Sequence, residues 1–286
     1  MERSGAESFV AGRGHRALSV LASVQAAWRR WREDRACRRH AIPDALWQLT
    51  LARYPFLIWR PAEQLIRLRR LATLFLTQKE FSGAHGLVVT DEMAVAIAAQ
   101  AVLPILNLES GLHLYAGFVG IVVHGDAVLV PREVMDEDGV VHEYDEELAG
   151  EAMQDGPVML SWRDVESASE ESAHADWAYN VTIHEFAHVI DMVSGGANGV
   201  PPLANLSARQ HWVEVMEAAY ADFCARVDAR CQTSIDPYAA DSIAEFFAVS
   251  VETFYVQPLE LQRAAPLVYR LLADYFKDDP AGHSAP

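Results

Sequence analysis

Residues 181–192 read Val-Thr-Ile-His-Glu-Phe-Ala-His-Val-Ile-Asp-Met. Within this run, His184 and His188 lie four apart with Glu185 next to the first. On a helix that spacing puts both imidazoles on one face, about one turn apart. Two imidazoles so placed can grip one Zn²⁺, and Glu185 then stands beside the open coordination position as a base for the water the metal activates. Ile183, Phe186, Ala187, Val189 and Ile190 are apolar, and neither Pro nor Gly interrupts them. That is the pattern of a buried helix, where two histidines and a glutamate are costly without partners. In a chain of this composition the motif arises by chance in roughly one case in thirty. The competing reading is an ordinary core helix with satisfied histidines, so the rest of the chain must supply the missing ligand.

A catalytic zinc site uses three protein ligands and a water. The extension that would place a glycine and a third histidine further along the motif is excluded, because Asp191 and Ser194 occupy those positions. Asp191 shares the histidine face but lies about 4.5 Å beyond His188 along the axis. A short carboxylate there is better suited to accept an imidazole N–H than to reach the metal, or it is a solvated helix-end acid. Four later glutamates remain: Glu214, Glu217, Glu245 and Glu252. Glu214 and Glu217 sit among polar residues and read as surface. Glu245 is embedded in Ile243-Ala244-Glu245-Phe246-Phe247-Ala248-Val249, where a lone acid is expensive unless paired or metal-bound. It is the preferred third ligand. Glu252, two turns on along the same face, fits a supporting role. Tyr238 lies seven residues before Glu245, where a phenol could donate to a developing oxyanion.

The chain has 286 residues, 51% hydrophobic and 22% charged, enough for a sizeable core. A net charge of −17 argues against general affinity for nucleic acid or anionic membrane. The charge is unevenly spread. Residues 1–40 hold nine Arg against four acids, about +5, and the remainder carries about −22. Leu18, Leu21, Val24, Trp28 and Trp31 recur at helical spacing among the arginines, which predicts a basic amphipathic helix. It either docks on the acidic body or binds an anionic surface or partner. Residues 1–14 are expected to be disordered. Cys37, Cys224 and Cys231 are odd in number and form no metal-type pair, which favours inert thiols in a reducing compartment. No apolar run reaches membrane-spanning length. A signal peptide is not expected, because Arg29, Arg30 and Arg32 follow the nearest apolar stretch without a cleavage site.

The pattern predicts helices at Ala45–Ala52, Ala62–Thr77, Asp91–Ala101, Ala173–Val193, Leu206–Val227, Asp241–Val256 and Ala265–Phe276. Pro55 and Pro61 bracket a turn, and Pro258 stops a helix. Leu87–Thr90 reads as a brief strand. Phe118–Val123 and Ala127–Val130 flank Gly125-Asp126 as a hairpin. A turn at Asp136–Gly139 leads to a strand at Val140–Tyr144, with Glu146, Glu147 and Glu151 on an acidic surface. Val158–Trp162 is a further strand, either structural or an edge that could take extended peptide by strand addition. Gly195, Gly196 and Gly199 end the motif helix, and Asp278–Pro286 reads as a disordered tail. The expected organisation is an N-terminal segment (1–40), one domain (41–277) and the tail (278–286).

Several blocks resemble the zinc peptidases of the Mlc titration factor A family over roughly Pro61–Leu261. They are Gly83-Ala84, Asp91-Glu92-Met93 with Ala98-Ala99-Gln100, and Gly156-Pro157-Val158 with Leu160-Ser161-Trp162. The motif itself follows with Asp191-Met192, then Asn198-Gly199-Val200-Pro201-Pro202-Leu203, Asp236-Pro237-Tyr238-Ala239-Ala240 and Ala244-Glu245-Phe246-Phe247-Ala248-Val249. The resemblance implies one Zn²⁺ held in a gluzincin-like site by His184, His188 and Glu245, with Glu185 as base and Tyr238 as transition-state stabiliser. It implies a cytoplasmic peptidase or aminopeptidase acting on a peptide or protein substrate. It also implies a transcriptional repressor as a partner; the net charge, not the resemblance, is why direct binding of nucleic acid by this chain is not expected. The expected fold is α+β, a zincin-like metallopeptidase core with a small mixed β-sheet and mostly helical surroundings. The alternative is a non-catalytic regulatory binding protein whose zinc site is structural or vestigial.

Overall fold

In the computed structural model the described residues are 24–25, 27–135, 141–168 and 177–283. They form two compact units, 1–41 and 42–286. In the first, helix α1 covers residues 27–39; the expected disorder of residues 1–14 lies outside the described residues. In the second, helices α2 (Asp44–Arg53), α3 (Ala62–Gln78) and α4 (Asp91–Ala101) precede a small sheet. Thr90 caps α4 by accepting the Met93 N–H. Among the described residues no helix is long and apolar enough to cross a membrane.

The sheet is mixed. Its strands are β1 (Glu80–Gly83), β2 (Gly120–His124), β5 (Gly150–Ala152) and β6 (Val158–Ser161), in the order β1-β2-β6-β5. β1, β2 and β6 run parallel, and β5 is antiparallel to β6. Ile121 pairs with Val158 and Val123 with Leu160, and all four are buried, so one face of the sheet belongs to the core. Among the described residues, strands β3 (Val128–Met135) and β4 (Val141–Leu148) pair with each other alone, antiparallel.

This corrects three expectations. Gly125-Asp126 is not a hairpin turn: β2 is an inner strand paired to β1 and β6, and β3 leaves for its own ribbon. Leu87–Thr90 is not a strand, while Glu80–Gly83 is. β6 is an inner strand and offers no free edge; β5 is the edge beside it. The expected turn at Asp136–Gly139 lies outside the described residues.

Helices α5 (Trp162–Ser167), α6 (Val181–Met192), α7 (Leu206–Asp228), α8 (Ile243–Val256), α9 (Pro258–Ala264), α10 (Pro266–Phe276) and α11 (Pro280–His283) complete the domain. The motif helix α6 starts at Val181, not at Ala173. Asn180 has a non-helical backbone (φ −157°, ψ 90°) and its side chain accepts the Ile183 N–H at 2.9 Å, which sets the N-cap. Pro258 ends one helix and opens the next at its first position, where its missing N–H costs nothing. The proposed tail is ordered through His283. Asp278 pairs with Arg60 at 3.3 Å, both side chains buried, and the Tyr269 hydroxyl donates to Asp279 at 2.6 Å.

Phe186, inside the motif, fixes α6 in the core. Its ring meets Tyr115 (5.0 Å between centroids), Phe75 (5.6 Å) and Phe118 (5.9 Å) edge-on. Full burial of such a side chain contributes about 1.5–3 kcal/mol. The opposite face of α6 is thereby committed to α8 and β5.

Candidate metal centre

Helix α6 presents His184 and His188, and α8 presents Glu245 and Glu252. Ser242 caps α8 by accepting the Glu245 N–H at 3.1 Å, which fixes the first turn that carries this glutamate. Oε2 of Glu245 lies 3.0 Å from Nε2 of His184, and Oε1 lies 3.3 Å from Nε2 of His188. The two Nε2 atoms are 3.2 Å apart. Among the described residues these three side chains are the one group of three or more whose ligand atoms converge closely enough to hold a metal ion. The edges fit zinc. A tetrahedral ion with bonds of about 2.0–2.1 Å separates its ligand atoms by about 3.3 Å. Two imidazole nitrogens and a carboxylate oxygen also match its ligand preference.

The charges agree with that fit. Burial alone would lower the proton affinity of His184, yet bonds to Glu245 and Glu252 raise it well above the usual histidine range. Burial would raise the Glu245 carboxyl, but bonds to His184 and His188 hold it well below the usual carboxylate range. The cluster thus favours a positive charge between its members, which a divalent cation supplies. Glu252 lies behind the site. Its Oε2 is 3.3 Å from Nδ1 of His184, and its Oε1 accepts the Asn180 N–H. Burial raises its pKa and the His184 contact opposes the rise. Asn180 in turn donates to Gln100 at 2.7 Å, and Gln100 donates to the Ala96 carbonyl. A continuous buried network from α4 through the N-cap of α6 to α8 therefore orients the His184 ring.

Glu185 is buried and points at the edge strand. Burial raises its pKa, the two histidines lower it, and the Ala152 backbone N–H is its hydrogen-bond donor. Gly150 makes this placement possible. A Cβ there would come within 2.7 Å of Cγ and Oε1 of Glu185 and 2.8 Å of Cγ2 of Val181. Gly150 has no left-handed backbone to explain it, so the glycine is needed for space alone. Tyr238 sits on the 3₁₀ turn Pro237–Ala240, half exposed, with its ring 6.2 Å from that of His184. Its backbone N–H donates to Asp236 at 2.9 Å, which sets the turn.

Asp191 is fully buried, but its expected imidazole contact is absent. Its carboxylate accepts the N–H groups of Asn198 (2.7 Å), Gly199 (2.6 Å) and Val200 (2.8 Å) instead. The Gly199 carbonyl accepts Trp212 Nε1–H at 2.8 Å. Asp191 thus ties the glycine loop to the end of α6, and Nδ1 of His188 has no hydrogen-bond partner among the described residues. The imidazole contact seen in the structure is that of Glu252 with Nδ1 of His184. Glu214 and Glu217 are exposed, as their polar surroundings imply. The residues missed from sequence are Gly150, Ala152, Asn180 and Gln100. Asn180 carried a usable signal, a capping residue just before the apolar run. Gly150 and Ala152 carried none.

A histidine pair one turn apart, closed by a carboxylate from a second helix with a buried glutamate alongside, defines a metal-site protein of the metallopeptidase class. The comparisons agree. Residues 28–277 match the family model described as glucose-regulated metallo-peptidase M90, and the chain belongs to that family. An uncharacterized protein of Synechocystis, slr2042, is 36% identical over 258 residues, covering 88% of this chain and 90% of its own. The Mlc titration factor A of Serratia proteamaculans is 33% identical over 241 residues, 82% of this chain and 88% of that protein. The protein of the same name from Yersinia pestis is 31% identical over 217 residues, 75% and 77% respectively.

Proposed function

We propose that this chain is a zinc-dependent peptidase with a zincin-like core, acting as an aminopeptidase on peptide or protein substrates. The observation that carries the reading is the convergence of His184, His188 and Glu245 at 3.0–3.3 Å beside a buried Glu185. His184, His188 and Glu245 would hold the ion. When bound, the metal supplies Lewis acidity to the scissile carbonyl and acidity to the attacking water. Glu185 takes the water proton and returns it to the leaving amine, and a raised pKa suits that exchange. Tyr238, on the rim, donates to the developing oxyanion. Glu252 and its network keep the His184 ring fixed, and Asp191 holds the loop that follows α6.

The alternative, a binding protein with a structural or vestigial zinc site, is disfavoured by Gly150 and Ala152. A structural site needs no glutamate cradled against a strand. Several relatives carry the name Mlc titration factor A. We include in the proposal that this chain also binds a transcriptional repressor and works in the cytoplasm. Three free thiols support a reducing compartment.

The test is zinc content together with peptide hydrolysis in wild type and Glu185→Gln. The substituted protein should keep its zinc and lose activity by about 10²–10⁴-fold. Activity surviving with metal bound would sink the mechanism.

A further inference from the structure

Helix α1 carries its apolar side chains on the outside. Val24, in the helical residues 24–25 that precede α1, and Trp28 and Trp31 within it are 59%, 57% and 54% exposed. Their spacing of four and three places them on one stripe. Arg32, Arg35, Arg38 and Arg39 are exposed as well. At about 100° per residue, the stripe and these four arginines share an arc of roughly 120°. The acids of the helix, Glu33 and Asp34, fall outside that arc and are half-buried, as are Ala36 and Cys37. The Arg32 guanidinium lies 4.7 Å from the Trp28 ring and that of Arg35 lies 5.7 Å from Trp31, so each cation is stacked at the height of an indole.

We propose that this face seats α1 on an anionic lipid surface. Two indoles suit the boundary between headgroups and acyl chains, where one end of the ring is apolar and the other wet. Guanidinium groups at the same height reach lipid phosphates. On this face Arg35 lies within the arc of the tryptophans, Arg38 lies to one side and Arg32 and Arg39 to the other, so indoles and guanidinium groups meet the headgroup boundary together. A nucleic-acid backbone would use the arginines and leave two tryptophans in water. The net charge of about −22 over residues 41–286 opposes binding, but charges beyond about 8 Å are screened at physiological salt, and the arginines in contact dominate.

The experiment is flotation of the full chain with vesicles of phosphatidylcholine alone and of an equimolar mixture with phosphatidylglycerol. The wild type should float with the mixed vesicles and not with phosphatidylcholine, and high salt should release it. Trp28→Ala/Trp31→Ala should weaken partitioning by about tenfold or more. Arg32→Gln/Arg35→Gln should weaken it by roughly thirtyfold, about fivefold for each cation lost at the surface. Both pairs are exposed, and unchanged circular dichroism checks that the fold survives. The proposal is overturned if the wild type stays in solution with the mixed vesicles. Equal flotation of the tryptophan variant would also overturn it, as would binding to duplex DNA that the tryptophan variant retains and that displaces the vesicles.

Discussion

Among the described residues two histidine pairs have rings in contact, and one of the two also meets a carboxylate in a group that could hold a metal ion. The rings of His184 and His188 lie 4.9 Å apart, and those of His85 and His124 lie 5.8 Å apart. The first pair rises from one helix turn and faces Glu245, with Glu252 behind it. The second joins a loop residue in the left-handed region (His85, φ 52°) to the last residue of β2. Both ring nitrogens of His124 are buried without a hydrogen-bond partner among the described residues. The electrostatics diverge accordingly. Carboxylates draw positive charge onto His184 despite its burial, whereas burial, and after it the charge of His85, lower the proton affinity of His124. Proximity of imidazoles is therefore a weak criterion. What distinguishes the site is the carboxylates from α8 that make a cation welcome there.

Substitutions can break or sharpen that contrast. His188→Ala should lower zinc affinity by roughly 10³-fold or more, read by competition with a chromophoric chelator. Glu252→Gln removes the carboxylate behind His184 and should lower the same affinity by about 10–100-fold. Gly150→Ala pushes on Glu185 without touching a ligand. It should reduce kcat by about tenfold while zinc affinity stays at the wild-type value. Equal loss of both would mean that the glycine serves the fold and not the glutamate. His124→Ala should leave zinc content unchanged and shift unfolding by less than about 1 kcal/mol in urea titration, because it removes polar atoms that bond to nothing described. Loss of zinc in that variant would dissolve the distinction between the pairs.

The three side chains that converge, His184, His188 and Glu245, were legible because their signals are local. His184, Glu185 and His188 announce themselves by helical spacing, and Glu245 by an acid set among apolar neighbours. The boundaries of α2, α3, α4, α7 and α10 follow from periodicity, proline and capping. Sheet order was not legible. β2 looked like half of a hairpin because Gly125-Asp126 is a good turn signal, but its partners β1 and β6 are reached by long crossovers that a turn signal cannot reveal. β5 is three residues long and reads Gly-Glu-Ala, without β-branched or aromatic residues, so the strand that abuts Glu185 was invisible. For Asp191 the sequence suggests an imidazole contact or a solvated helix-end acid, and its carboxylate instead accepts three backbone N–H groups. Nothing in the helix itself shows that the glycine loop folds back to offer three N–H groups. The polar stretch before Asn180 reads as a continuation of the helix, which hides its capping role.

We propose that His184, His188 and Glu245 together hold one zinc ion. Zinc K-edge X-ray absorption on the metal-loaded chain tests it most directly, compared with Glu245→Gln. The account predicts one zinc per chain with two imidazole nitrogens at about 2.0–2.1 Å and a carboxylate oxygen that disappears in the variant. A chain that retains no zinc, or an identical spectrum after Glu245→Gln, would contradict it.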